Sequence, residues 1–180
     1  METWEWIVLA VAIAAALLLL AAIVFIRRRR GRLVERFGPE YERAVSSSGR
    51  SGAERRLSAV EKEHDDLDIR PLSHAARDRY RDEWKQAETR FVSDPRDAAR
   101  AAERVVSRIL DERGYPVGVD TEDQAAHVAA DYPDVVERYR HGRAMLGEVD
   151  GAGGTENLRK AMLDFRAVFE EIVERQQTAA

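Results

Sequence analysis

Residues 7–26 read IVLAVAIAAALLLLAAIVFI, and residues 27–30 read RRRR. No side chain in the first stretch carries a charge or a strong polar group. As a helix rising about 1.5 Å per residue, twenty residues cover roughly 30 Å, the hydrocarbon thickness of a bilayer. Thirteen of them are Leu, Ile, Val or Phe and seven are Ala. At about −0.3 to −0.6 kcal/mol each, the thirteen larger side chains contribute on the order of −4 to −8 kcal/mol toward insertion. A core helix of a water-soluble domain is rarely apolar on every face for this length. A cleavable signal peptide carries its positive charge before a shorter apolar run and a small-residue site after it. Here Glu2 and Glu5 come first, the arginines come last, and no such site follows. The stretch therefore reads as an uncleaved transmembrane helix.

The flanks extend that reading. Trp4 and Trp6 stand where an interfacial aromatic belt belongs, and Arg27, Arg28, Arg29 and Arg30 form a basic collar at the other end. Basic residues next to a span stay in the cytoplasm. The expected topology is a plasma-membrane protein with residues 1–6 outside and everything after the span inside. These six flanking residues are the expected contacts with the membrane interface. The collar could also attract anionic lipid head groups, at roughly 1 kcal/mol per residue.

Beyond the collar the chain changes character. Removing residues 1–32 takes away five arginines and two glutamates, leaving 24 basic and 31 acidic residues. A net-acidic domain lacks the basic face that neutralises nucleic-acid phosphates, so no nucleic-acid partner is expected. With no cysteine, disulfides, thiolate zinc sites and cysteine nucleophiles are all excluded.

Helical punctuation dominates the remainder. Gly38-Pro39 should end the first helix, a short helix fits 39–45, and the SSSGRSG of 46–52 reads as a flexible linker. That divides the chain into a juxtamembrane segment and linker, 27–52, and a helical domain, 53–177. In the domain, Leu57, Val60, His64 and Leu67 are spaced 3, 4, 3. Ser73 can cap a helix over 74–93 that carries Tyr80, Trp84, Ala87 and Phe91 on one face. Asp94, Pro95 and Gly114 bracket a third helix, with Ala98, Ala102, Val105, Val106, Ile109 and Leu110 facing in. Thr121 and Gln124 fit a capping box for a short helix to 130. Pro133 opens another helix, to 148. Residues 150–154, DGAGG, form a hinge or loop. Thr155 caps a last helix to 176 with an amphipathic stripe of Leu158, Met162, Phe165, Phe169 and Ile172. No period-two alternation lasts long enough for a strand. The expected fold class is all-α: an N-terminal transmembrane helix followed by a small irregular helical bundle.

The chemistry-bearing residues are sparse. Glu61-x-x-His64 has the spacing that di-iron bundles use, but they use it twice, and here there is no second copy. Asp123 and His127 form a weaker pair. The glycines of 151–154 precede a helix start, yet no strand leads in and no Gly-Lys-Ser/Thr follows. Ser46–Ser48 lie in the linker with no positioned base. The sequence singles out no catalytic, cofactor or metal residue. The aromatic stripes have the spacing of core, although a last-helix stripe too wide for its core could pair with another chain.

An ordered set of short segments adds a likeness. Arg36-Phe37-Gly38-Pro39-Glu40-Tyr41, Ile69-Arg70-Pro71-Leu72, Arg79-Tyr80 with Trp84, Phe91-Val92 with Asp94-Pro95, and Arg113-Gly114-Tyr115-Pro116-Val117 run along the chain in this order. In them the chain resembles a family of bacterial single-span membrane proteins, mostly of high-GC Gram-positive bacteria, with a helical cytoplasmic region and no established activity. The resemblance implies architecture and carries over no functional residue. Two functions remain: a membrane-tethered protein-interaction or scaffolding module, binding a partner or itself through helix faces, or a ligand-binding or enzymatic domain. The second requires at least two of His64, His74, His127 and His141 to converge with Asp or Glu side chains in a concave pocket.

Overall fold

The computed structural model of the chain describes residues 3–117, 121–147 and 154–174. Among these there are seven helices and no strand. The first, α1 (Thr3–Phe37), runs unbroken for 35 residues, about 50 Å at the usual helical rise. Its apolar part is long and apolar enough to span a bilayer, and none of the other described residues buries it. Trp4, Trp6 and the side chains through Ile26 stand exposed, whereas Leu33 and Phe37, about two and three turns further on, are wholly buried. One rigid helix thus leaves the apolar segment and ends inside a core.

Gly38 turns the chain, with φ at +50°, a value that favours glycine. The following α2 (Pro39–Asp65) overturns one expectation. Residues 46–52 are helical on both sides of a single break at Gly49 (φ +69°) instead of forming an irregular linker. A straight helix would hold residues 41 and 54 about 20 Å apart. Here the Tyr41 hydroxyl donates to Glu54 Oε1 at 3.2 Å, so α2 folds back on itself at Gly49. The serines contribute to this turn: Ser46 donates to the Arg43 carbonyl, and Ser47 and Ser48 to that of Ala44. Such bonds from serine hydroxyls to carbonyls three or four residues back are the local alternative these side chains offer near a helix break. The domain therefore does not begin at 53. Leu33, Phe37, Tyr41 and Ala44 share a core with Ala53, Leu57 and Val60.

The remaining helices follow the local signals closely. They are α3 (His74–Arg90), α4 (Pro95–Arg113), α5 (Thr121–Asp131), α6 (Val136–Gly147) and α7 (Gly154–Glu174). Ser73 and Asp94 cap α3 and α4 by accepting from the backbone N–H groups of Ala76 and Asp97. Gly114 ends α4 at φ +98°, where a Cβ would come 2.6 Å from the Asp68 carbonyl oxygen. α3 stops at Arg90, short of the expected 93, and α6 starts at Val136 because Pro133 to Val135 form a turn. The expected loop at 150–154 falls, except for Gly154, outside the described residues, as do residues 175–177.

Two hydrophobic cores result. The larger lies among α3, α4, α6 and α7, with Trp84 stacked on Phe169 at 4.8 Å and Phe165 set against Tyr139 and Gly142. Every residue of the expected α7 stripe is buried in it, so that stripe is not free to pair with another chain. The smaller core joins the end of α1, both halves of α2, and α5. Helix α5 is the wall between them: Ala125, Ala126 and Ala129 face the smaller core and Val128 faces the larger.

Candidate functional site

The polar side chains that α5 and its neighbours bring together lie along this wall. His64 of α2 is buried, and its Nε2 lies 3.2 Å from Asp131 Oδ1 at the end of α5. The other Asp131 oxygen accepts from the Tyr115 hydroxyl. The His127 ring stacks toward His64 with centroids 6.1 Å apart, and its Nε2 lies 3.8 Å from the exposed Glu63. Beside them Arg113 Nη1 donates to the Tyr132 hydroxyl at 2.7 Å. Two of the four histidines therefore converge with carboxylates, while His74 is exposed and His141 pairs with Asp164 between α6 and α7.

Electrostatics follow from burial and from these bonds. Burial pushes the Tyr115 phenol well above its usual range, and its bond to the Asp131 carboxylate pushes it the same way. Burial also pushes Asp131 up, but the bonds from His64 and Tyr115 outweigh it and hold that carboxyl below its ordinary value. Burial, helped by the neighbouring His64, holds His127 low. The Nδ1 atoms of His64 and His127 are both buried without a partner. Glu61 does not join His64; its carboxylate goes to Arg36 at 3.3 Å, and Asp123 goes to Arg56 at 3.0 Å. Among the described residues no group of three or more His, Cys, Asp or Glu could hold a metal ion. The cluster ties α2 to the end of α5 and to the loop after α4, and among the described residues no serine, threonine or cysteine hydroxyl or thiol is bonded to its imidazoles.

A second polar knot ties the other side of the wall. Arg140 of α6 is buried and donates through Nη1 to Glu40, which is wholly buried at the start of α2, and to Glu137. Its Nη2 donates to Glu122 at 3.2 Å. Burial opposes its charge, yet the three carboxylates raise its pKa above the usual guanidinium value. The start of α2 is thereby fastened to α6 across a hundred residues of sequence.

The chain matches no protein-family model, no curated protein and no solved structure.

At about 100° per residue, Phe25, Arg28, Arg29, Arg32 and Arg36 fall on one face of α1. That face is turned to α2. Arg36 Nη2 reaches Asp65 at 2.7 Å and Nη1 reaches Glu61. One turn and more toward the apolar end, Phe25, Arg28, Arg29 and Arg32 line a pocket of about 380 Å³ against Ser58 and Glu61. The second half of α2 therefore runs beside α1 in the same direction, and its Gly49 turn lies toward the apolar segment. Of the four collar arginines, Arg28 and Arg29 join this pocket; Arg27 and Arg30 do not line it. Arg32 and Ser58 were not among the residues expected at the interface. The positions 25, 28, 29 and 32, each three or four residues from another of the set, were a legible signal for Arg32; nothing local marked Ser58.

Proposed function

We propose that this chain is a single-pass plasma-membrane protein whose helical domain is held against the cytoplasmic face as a platform for protein contacts. The observation that carries this reading is the continuity of α1: the helix bearing the bilayer-length apolar run ends with Leu33 and Phe37 buried among α2 and α5. An anchor joined in this way presents the domain in one orientation instead of on a swinging tether. Retention near one surface raises the local concentration of any partner held there, so weak contacts suffice. The arginines after the span support an inside location for the domain. The acidic charge after residue 32 favours basic or mixed-charge protein surfaces over nucleic acid.

Convergence of His64, His127 and Asp131 supports a second reading, a ligand-binding or catalytic domain. It is the weaker one, because both imidazoles are buried in packing and, among the described residues, no group of three His, Cys, Asp or Glu side chains forms around them.

A reporter fused after Ala180 and active only in the cytoplasm, with the full chain resisting alkaline extraction from membranes, is the expected result. A reporter active outside the cell would overturn the orientation. Proximity labelling from the same fusion should return a reproducible partner. Its failure, together with a monomeric full chain in detergent, would count against the platform, and turnover lost in His64→Gln would favour the second reading.

A further inference from the structure

We propose that the pocket between α1 and the second half of α2 is a binding site for the phosphate of an anionic phospholipid head group. The inference rests on the reading of α1 as a membrane anchor. Phe25 is the penultimate residue of the apolar run, so the pocket opens at the level where hydrocarbon gives way to head groups. Its cationic wall is Arg28, Arg29 and Arg32, none of which has a carboxylate partner among the described residues. The acid in the pocket lining, Glu61, already accepts from Arg36. Ser58 supplies the second observation: its Oγ is closed off from solvent yet has no hydrogen-bond partner. A buried hydroxyl without a partner is costly, and a turn about χ1 that brings it to a phosphate oxygen in the pocket would satisfy it.

The arrangement selects a chemical class. Guanidinium groups suit phosphate because their planar forks donate in pairs. Three such groups around one pocket would repel the trimethylammonium of a choline head group, so a lipid of net negative charge is favoured over a zwitterionic one. Phe25 at the rim gives the acyl side of the lipid an apolar wall. A soluble phosphate would find the same donors but nothing to offer Phe25. The remaining collar arginines, Arg27 and Arg30, act only through the general attraction of a basic segment for an anionic leaflet. Lipid held here would brace the α1–α2 junction where the helix leaves the bilayer.

The test uses the delipidated full chain in a zwitterionic detergent, titrated with dioctanoyl phosphatidylglycerol, dioctanoyl phosphatidylcholine or sodium phosphate. Binding is read by native mass spectrometry and by thermal shift. Saturable binding of one phosphatidylglycerol, with phosphatidylcholine and inorganic phosphate far weaker, is expected. Arg32→Gln should weaken it about fivefold, from roughly 1 kcal/mol per arginine. Ser58→Ala, which leaves the charge untouched, should weaken it about tenfold, as loss of a hydrogen bond to a charged group does. The pair Arg27→Gln/Arg30→Gln should change it little. Equal losses in this pair and in Arg32→Gln, or an unaffected Ser58→Ala, would overturn the site. Inorganic phosphate binding as tightly as the lipid would overturn the lipid assignment. Alkaline extraction of the same preparations separates the two ideas: a chain washed from the membrane removes the anchor reading, whereas a chain that stays but ignores these substitutions removes only the pocket.

Discussion

Replacing Arg140 by methionine strips the wall between the two cores of its only buried cation contact to Glu40, and the structure predicts how the damage divides. The Glu40 side chain is 1% exposed and that of Arg140 is 7% exposed, whereas Glu122 and Glu137 are 47% and 46% exposed. When the guanidinium goes, Glu122 and Glu137 can turn to water, but Glu40 cannot. Arg140→Met should therefore cost about 3–5 kcal/mol, the range for breaking a buried pair and stranding one charge. Glu40→Gln leaves Arg140 with two half-exposed carboxylates, so it should cost only about 1–3 kcal/mol. In the double variant Glu40→Gln/Arg140→Met no buried charge is left, and the loss should fall well below the sum of the single changes. The coupling between the two sites should reach about 2 kcal/mol. Far-UV circular dichroism of the full chain in detergent micelles during thermal or denaturant unfolding measures all of these. For a chain of this size the Arg140→Met shift corresponds to a fall in Tm of roughly 6–20 °C. The reasoning is refuted if Arg140→Met lies within about 0.5 kcal/mol of wild type, or if Glu40→Gln costs more than Arg140→Met, or if the effects simply add.

Phe37→Ala removes a wholly buried ring where α1 enters the smaller core and should destabilise the fold by about 3–5 kcal/mol. Limited proteolysis should then cut first near Gly38, and an unchanged digestion pattern would deny that α1 is joined to the domain by packing. His127 is held below its ordinary value of 6.5, chiefly by burial, so the unfolded chain binds the proton more readily than the folded one. Stability should be complete above about pH 7 and fall as the pH drops through 6.5 toward the depressed folded value; His127→Gln, read by denaturation at several pH values, should flatten that slope. Asp131, also held low, contributes stability that is lost only below its ordinary value of 3.8, and His127→Gln should leave that acid limb in place. Gly114→Ala must place a Cβ against the Asp68 carbonyl at a φ of +98° and should lower stability by about 1–3 kcal/mol; a neutral effect in thermal unfolding would show that the α4 end relaxes freely.

Much of this architecture can be read residue by residue. The apolar run of 7–26, the caps at Ser73 and Asp94, the stop at Gly114 and the stripes of α4 and α7 each depend on neighbours within about four positions. Those are the distances over which helical geometry acts. They determine that the chain is helical, where most helices start and stop, and that one helix matches a bilayer. The serine-rich segment misleads for the same reason. Its composition is that of a linker, but Ser46, Ser47 and Ser48 bond back to helix carbonyls because the two halves of α2 have a core to fold around. The contacts that create the candidate sites are not local. Glu40 meets Arg140 across a hundred residues, His64 meets Asp131 across 67, and the pocket between α1 and α2 needs Ser58 laid beside Arg28, Arg29 and Arg32. Which charges lose their water, and which find a partner, is decided by the packing of helices distant in sequence. Periodicity cannot encode this, because it records which face of a helix turns inward and not which helix it meets.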